Sequence, residues 1–265
     1  MNANPSGLAD AVSAIAAEAG AFAISRWSTG FTTEYKSDGS PVCAVDLEVD
    51  RFLHARLTAL MPDAGWLSEE TADDARRLDH ARVWVVDPID GTRDYVRGRE
   101  GWAISIALVE EGRPVIGVLD APARHESWRA EAGEGAWRNG APIRAAARDA
   151  LIGARVPADA LAKRDRDTFV AVAKPNSIAL RMAMVAAGEA DLVATLRWGA
   201  EWDIAAAALI ASEAGATVSD ALGERFVFNK RDPKAFGVLA SASGIHGAAV
   251  ARLRDRATGM AAAEH

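Results

Sequence analysis

The segment from Trp84 to Thr92 constrains the fold more than any other part of the sequence. Residues 83–86 form a short, continuous apolar run, which is typical of a β-strand buried on both faces. This run leads directly into Asp-Pro-Ile-Asp-Gly-Thr, where Pro88 fixes its own φ and lacks an N–H, so we expect the chain to leave the sheet there. The sequence therefore predicts that Asp87 and Asp90 lie at the carboxyl end of a buried strand, where α/β proteins often place their ligand sites.

The two aspartates allow two interpretations. In one, they belong to a strand-ending turn that caps the next helix, since Asp, Gly and Thr are common in such turns. In the other, they share a cleft with further acidic residues, namely Asp46, Glu69, Glu70, Glu201 and Asp203. Such a cluster repels itself unless it binds cations, and all-oxygen ligation selects hard ions such as Mg2+, Mn2+ or Ca2+. The spacing alone leaves open whether these carboxylates converge.

Composition and charge exclude several classes of function. The 265 residues carry a formal net charge of -7, so no basic excess is present to bind a nucleic-acid polymer or an anionic membrane. Cys43 is the single cysteine, which excludes an internal disulfide and a cysteine-based zinc site. Because we find no run of about 18 apolar residues and no apparent signal peptide, we expect a cytoplasmic protein without a transmembrane helix.

Hydrophobic periodicity in the first half predicts two helices and a hairpin. Residues 7–27 and 45–60 carry apolar residues at helical spacing. Residues 102–109 and 115–119 have strand character and flank a Gly-Arg-Pro turn, which favours an antiparallel hairpin. The glycine-rich stretch 132–140 is predicted to be a turn that connects further short strands.

The second half alternates between strands and helices. Strands are predicted at 168–173, 191–195 and 236–240, and helices at 177–187, 202–214 and 245–253. Ser177 is a plausible N-cap for the first of these helices, and Gly215 is suited to end the second. The pattern predicts an α+β domain over residues 1–145 and an α/β domain over residues 146–265.

Three segments, in this order, resemble the inositol monophosphatase superfamily. They are Glu69, the run from Asp87 to Thr92, and the run Trp202-Asp203-Ile204-Ala205-Ala206. That superfamily includes inositol monophosphatases, 3'(2'),5'-bisphosphate nucleotidases and fructose-1,6-bisphosphatases. The resemblance implies a layered αβαβα sandwich, and it implies a lithium-sensitive phosphomonoesterase that uses two or three Mg2+ ions, with Mn2+ as an alternative.

The resemblance also implies roles for individual residues. Five residues would supply metal ligands, Ile89 through its main-chain carbonyl: Glu69, Asp87, Ile89, Asp90 and Asp203. Thr92 and Asp46 would orient and deprotonate the attacking water. The amides of Gly91 and Thr92, at a helix start, would hold the phosphate, and Lys36 would lie close to the metal site.

The residues around these motifs resemble the nucleotidase branch of the superfamily. The runs 65–71, 90–95 and 198–203 are similar to those of bacterial 3'(2'),5'-bisphosphate nucleotidases. Leu196 stands where inositol-specific enzymes are expected to carry an acidic residue, which argues against inositol recognition.

Three further residues are candidate substrate contacts. Ser177 and Arg181 would contact a second phosphate, although Arg181 is equally well explained as a solvated helix position. Trp198 would stack on adenine, and its alternative role is ordinary hydrophobic packing.

Three functional hypotheses follow. The first is a phosphatase for adenosine 3',5'-bisphosphate. The second is a phosphatase of the same superfamily for an inositol phosphate, fructose bisphosphate or another sugar phosphate. The third is a metal-dependent binding protein without turnover. The expected partner is a small phosphorylated metabolite, and the expected assembly is a monomer or a homodimer.

Overall fold

The computed structural model describes residues 5–27, 33–35 and 41–263. Its helices are α1 (Pro5–Trp27), α2 (Ala44–Leu60), α3 (Thr92–Val96), α4 (Ile178–Ala186), α5 (Ala205–Glu213) and α6 (His246–Ala263). Its strands are β1 (Thr33–Tyr35), β2 (Pro41–Cys43), β3 (Gly65–Ser68), β4 (Arg82–Asp90), β5 (Ala103–Glu110), β6 (Arg113–Ala121), β7 (Glu126–Glu131), β8 (Gly135–Arg138), β9 (Ala141–Pro142), β10 (Ala154–Pro157), β11 (Phe169–Val172), β12 (Leu192–Ala200), β13 (Ala216–Ser219) and β14 (Lys234–Ala242).

The first half forms a seven-stranded sheet in the order β3-β4-β5-β6-β7-β8-β9. β3 pairs with β4 in parallel, and the other neighbours pair antiparallel, including the predicted hairpin of β5 and β6. Side chains alternate across a strand, so Trp84 and Val86 of β4 pack with α1 and α2, whereas Val83 and Val85 pack with α4 and α5. The prediction of a strand buried on both faces is confirmed.

β4 continues past the point at which the sequence predicted its end. It runs through Pro88 to Asp90, and its pairing with β5 shifts register between Asp87 and Asp90. The expectation that the chain leaves the sheet at Pro88 is therefore wrong. A bulge leaves a residue outside the ladder, so a proline without an N–H is tolerated there. Both aspartates are consequently carried on a buried strand.

Five layers make up the molecule. α1 and α2 cover one face of the large sheet, and α4 and α5 pack on the other face. A second sheet, antiparallel and in the order β12-β14-β13, lies on the far side of α4 and α5, and α6 covers its outer face. This is the αβαβα sandwich that the resemblance implied. The first sheet ends at Pro142. The division into domains at residues 145 and 146 stays a prediction.

Most other predicted elements are present with different ends. The last helix extends to Ala263, and the helix predicted from residue 202 begins at Ala205. Ser177 caps α4 by accepting a hydrogen bond from the Leu180 amide at 2.9 Å, as predicted. Several short strands were not predicted, and one of them, β8, lies within the stretch 132–140.

α1 contradicts the expectation that no segment would qualify as a membrane span. Among the described residues, Gly7–Trp27 is the one helix long and apolar enough to cross a membrane, by length and composition. Its side chains Val12, Ala16 and Ala19 are buried with α2 and the large sheet. A core helix of a soluble protein meets the same criterion, so this feature is weak evidence for a membrane.

Candidate metal centre and active site

Three carboxylates from three separate segments converge at the carboxyl end of β4. Carboxylate oxygens of Glu69, Asp87 and Asp203 all lie within 4.8 Å of one another. Glu69 follows β3, Asp87 lies on β4, and Asp203 precedes α5. Their convergence supports the second of the two sequence interpretations. An all-oxygen donor set at this spacing fits a hard divalent cation such as Mg2+ or Mn2+.

Asp87 is strongly perturbed by its neighbours in this cluster. It is buried, and burial raises the pKa of its carboxyl well above the usual value. The negative charges of Glu69, Asp90 and Asp203 raise this pKa further. A cation would relieve the repulsion, which is why such a cluster is a candidate metal centre. Glu201, considered in the sequence as a further member, instead accepts hydrogen bonds from the Asn229 and Lys230 amides.

Asp90 is held by the first turn of α4. Its carboxylate accepts hydrogen bonds from the Ser177 hydroxyl at 2.5 Å, the Ala179 amide at 2.7 Å and the Ile178 amide at 3.3 Å. Burial raises the Asp90 pKa to about 6, and these hydrogen bonds oppose that rise. Ser177 is fully buried beneath Asp90, so its hydroxyl is not placed to contact a substrate phosphate, contrary to its predicted role.

Thr92 and Asp46 lie together, as the resemblance implied. The Thr92 hydroxyl is 3.4 Å from Asp46 Oδ1 and 3.1 Å from the Ile89 carbonyl oxygen, so it can donate to either. The second Asp46 oxygen accepts the Cys43 amide at 2.7 Å. Burial raises the Asp46 pKa to about 7, which suits a group that must take up a proton near neutral pH.

A cavity of about 330 Å³ lies beside these groups, and Thr92 is part of its lining. Its lining includes Gly91, Thr92, Arg181 and Trp198 among the predicted substrate contacts. It also includes all five predicted metal ligands, which are Glu69, Asp87, Ile89, Asp90 and Asp203. Lys36 lies outside the described residues.

Arg181 is not a solvated helix position. It is half-buried, and its guanidinium donates to the carbonyls of Pro175, at 2.8 Å, and Asn176. Trp198 is 36% exposed and packs against Phe236 with ring centroids 5.3 Å apart, so one face is packed while part of the ring borders the cavity.

Sequence reasoning missed two cavity arginines, Arg93 and Arg197. Arg197 escaped notice because the pairing of β12 with β14 shifts register between Thr195 and Trp198. On a regular strand, consecutive side chains point to opposite faces, whereas here Arg197 and Trp198 both line the cavity. Leu196, by contrast, is buried in the core beneath α6.

The model of the inositol monophosphatase family matches residues 4–258. Inositol monophosphatase 2 of Solanum lycopersicum is 32% identical over an alignment of 215 residues, which covers 75% of this chain and 81% of that protein. The 3'(2'),5'-bisphosphate nucleotidase CysQ of Escherichia coli K12 is also 32% identical, over 74% of this chain and 83% of its own length. The solved structure of an IMPase from Thermotoga maritima superposes with a TM-score of 0.82 at 28% identity, covering 94% of this chain and 97% of that one.

Proposed function

The chain belongs to the inositol monophosphatase family of metal-dependent phosphatases, and from this premise we propose that it removes the 3'-phosphate of adenosine 3',5'-bisphosphate in a Mg2+-dependent reaction. One observation carries the proposal: the carboxylates of Glu69, Asp87 and Asp203 meet in a cavity that the Thr92 and Asp46 pair also reaches. Sensitivity to Li+ is part of the same proposal.

Five residues would hold the metal: Glu69, Asp87, Asp90 and Asp203 by carboxylate, and Ile89 by its carbonyl oxygen. When bound, Mg2+ lowers the pKa of water and stabilises negative charge on phosphate oxygens. Thr92, with Asp46 behind its hydroxyl, would orient the attacking water and take up its proton. The amides of Gly91 and Thr92 would hold the phosphate.

The preference for a bisphosphate nucleotide rests on three further residues of the cavity lining, Arg181, Arg197 and Trp198. Arg181 and Arg197 provide two guanidinium groups for a second phosphate, and guanidinium geometry matches that of phosphate oxygens. Trp198 offers a partly exposed ring on which adenine would stack. An inositol monophosphate has no second phosphate to engage these arginines.

An inositol phosphate remains the second candidate, because relatives of both kinds match the chain with equal identity. Leu196 argues against it, since its buried apolar side chain supplies no polar contact to an inositol hydroxyl. The proposed enzyme acts in the cytoplasm, without membrane association, as a monomer or homodimer.

The decisive experiment compares phosphate release from adenosine 3',5'-bisphosphate and from inositol 1-phosphate, in Mg2+ with and without Li+. We expect kcat/KM for the nucleotide to be higher by at least about a hundredfold, equivalent to ~2.7 kcal/mol. A preference for inositol 1-phosphate would refute the nucleotide assignment. Failure of both substrates in Mg2+ and in Mn2+ would favour a binding protein without turnover.

A further inference from the structure

A second aspartate of α2 contacts the loop that carries Glu69. Asp50 follows Asp46 by one helical turn, and its residue is only 5% exposed. Its Oδ1 accepts a hydrogen bond from the Ser68 hydroxyl at 2.5 Å, and its Oδ2 accepts one from the Thr71 hydroxyl at 2.6 Å. Ser68 and Thr71 flank Glu69 and Glu70 in the sequence. One buried carboxylate therefore holds both ends of this short acidic segment.

The segment is attached at further points. The Glu69 amide donates a hydrogen bond to the Val86 carbonyl at 3.3 Å. This bond joins the backbone of Glu69 to β4 at the residue before Asp87. The Ser68 hydroxyl also lies 3.5 Å from the Glu70 amide. With Asp50 joined to Ser68 and Thr71, the backbone around Glu69 has few ways to move relative to β4.

We propose that Asp50 is a positioning residue for metal binding, which fixes Glu69 by holding Ser68 and Thr71. This inference rests on the proposed function, because it assumes that Glu69 is a metal ligand. α2 would then serve the site twice: Asp46 contacts Thr92, and Asp50 holds the Glu69 segment.

The chemistry of the contact supports a positioning role. Both donors are neutral hydroxyls, so the contact brings no positive charge into a region that also holds Asp46, Glu69 and Glu70. A lysine or arginine in this place would hold the loop equally well but would compete with the cation for the acidic ligands. Partners of this kind around metal ligands typically change metal affinity by about 10–100-fold when they are removed.

The test uses variants that separate the hydrogen bond from the shape of the side chain. Thr71→Val removes the hydroxyl and keeps the volume, whereas Thr71→Ser keeps the hydroxyl. Asp50→Asn keeps the size of the side chain and removes its charge. Thr217→Val is the matched control, because it deletes a hydroxyl on β13 that contacts Ser243 and lines no part of the cavity.

Binding of Mn2+ to the full-length, chelator-treated protein is measured by electron paramagnetic resonance, and the Mg2+ dependence of phosphate release is measured alongside. We expect Thr71→Val and Asp50→Asn to weaken Mn2+ binding by about tenfold. Thr71→Ser and Thr217→Val should bind as the wild type does. At saturating Mg2+, kcat of Thr71→Val should return to within a few-fold of wild type, because the ligand is displaced rather than lost.

Wild-type Mn2+ affinity in Thr71→Val would overturn the inference, as would equal losses in Thr71→Val and Thr71→Ser. If Asp50→Asn does not fold, the Thr71 pair alone decides. Absence of Mn2+ binding by the wild-type protein would instead refute the metal site of the proposed function, so the two failures are distinguishable.

Discussion

Asp87 and Asp90 lie three residues apart on β4 and have different surroundings. Asp87 faces other carboxylates, whereas Asp90 receives a hydroxyl and two amides from the start of α4. The sequence motif predicted that both residues belong to one site, and both line the same cavity. It was insufficient to predict the second contact of Asp90, because Ser177 is 87 positions away in the chain and only the packing of α4 brings it close.

Asp90→Asn should therefore damage two functions at once. Removal of a residue that supports a metal ligand typically lowers activity by ~10–100-fold. We expect a larger fall here, because a proposed carboxylate ligand is itself lost. The unfolding free energy should also fall by about 1 kcal/mol, because an amide nitrogen cannot accept the bonds from Ser177 and Ala179. Phosphate release and urea unfolding measure the two effects. Activity close to wild type in saturating Mg2+ would refute the assignment of Asp90.

Asp120 is a buried carboxyl outside the lining of the cavity. It lies on β6 facing Gly20 of α1, and burial raises its pKa to about 7. Because the folded state holds this proton more tightly than the unfolded chain, stability due to this group falls as pH rises from about 4 to about 7. Above about pH 7 the Asp120 carboxyl is ionised in both the folded and the unfolded state, so its effect on the unfolding free energy no longer changes with pH.

Asp120→Asn removes the titration. Between pH 5 and pH 8, the unfolding free energy of the wild type should fall more than that of the variant, by about 2–4 kcal/mol. Chemical denaturation at several pH values with a chelator present makes the comparison, because the metal-site carboxylates then contribute equally to both proteins. Parallel pH profiles for the two proteins would show that Asp120 does not titrate in this range.

At the scale of elements, the sequence predicted those helices and strands whose apolar residues follow a regular pattern. The apolar run of β4, the two long helices and the hairpin follow from patterns within each segment. The continuation of β4 through Pro88 and the irregularity in β12 depend on the pairing partner, so no local pattern reveals them. Both irregularities occur where strands approach the cavity, which agrees with the preference of bulges for sites next to active centres.

The link between β4 and α3 depends on a glycine. Gly91 has φ of 96°, and a Cβ on it would lie 2.7 Å from the Gly101 carbonyl oxygen and 2.9 Å from the Ser177 amide nitrogen. A side chain at this position would push apart the backbone that supports Asp90 and Thr92. Gly98 also has a positive φ, 64°, but a Cβ there would meet no atom within 4 Å.

These two glycines form a matched pair. Gly98→Ala should cost about 1 kcal/mol of unfolding free energy, the strain of a positive φ alone, and should leave phosphate release unchanged. Gly91→Ala adds the clash with two backbone groups, so it should cost at least about 2 kcal/mol more and reduce activity at least tenfold. Thermal unfolding and phosphate release at saturating Mg2+ test both. Equal behaviour of the two variants would show that crowding at Gly91 is unimportant.

At the scale of the whole molecule, the candidate metal centre draws its carboxylates from both halves of the chain, and a buried clamp joins those halves. The Arg77 side chain is fully buried and bonds Asp73, the Asn229 side chain and, at 2.7 Å, the Lys230 carbonyl. Glu201 holds the amides of Asn229 and Lys230 from the other side. The clamp thus connects the segment after Glu69 to the segment before Asp203.

Arg77→Lys tests whether this clamp supports the metal centre. Lysine cannot reproduce the forked contacts of the guanidinium, so buried partners would be left unsatisfied and the unfolding free energy should fall by about 3 kcal/mol. Arg76→Lys is the control, since the exposed Arg76 pairs with the neighbouring Asp74 and should change stability by less than about 0.5 kcal/mol.

The clamp makes a sharper prediction for pairs of substitutions. Arg77→Lys and Glu201→Gln both loosen the segment of Asn229 and Lys230, and Arg77→Lys retains the positive charge that acts on Glu201. Once either substitution has loosened this segment, the other substitution has fewer contacts left to disrupt. The losses of unfolding free energy and of Mn2+ affinity in the two single variants should therefore add up to more than the loss in the double variant. A double-mutant cycle measures both quantities. Strict additivity would mean that the segment of Asn229 and Lys230 does not couple the two halves of the chain. Glu69 and Asp203 would then be positioned independently of each other.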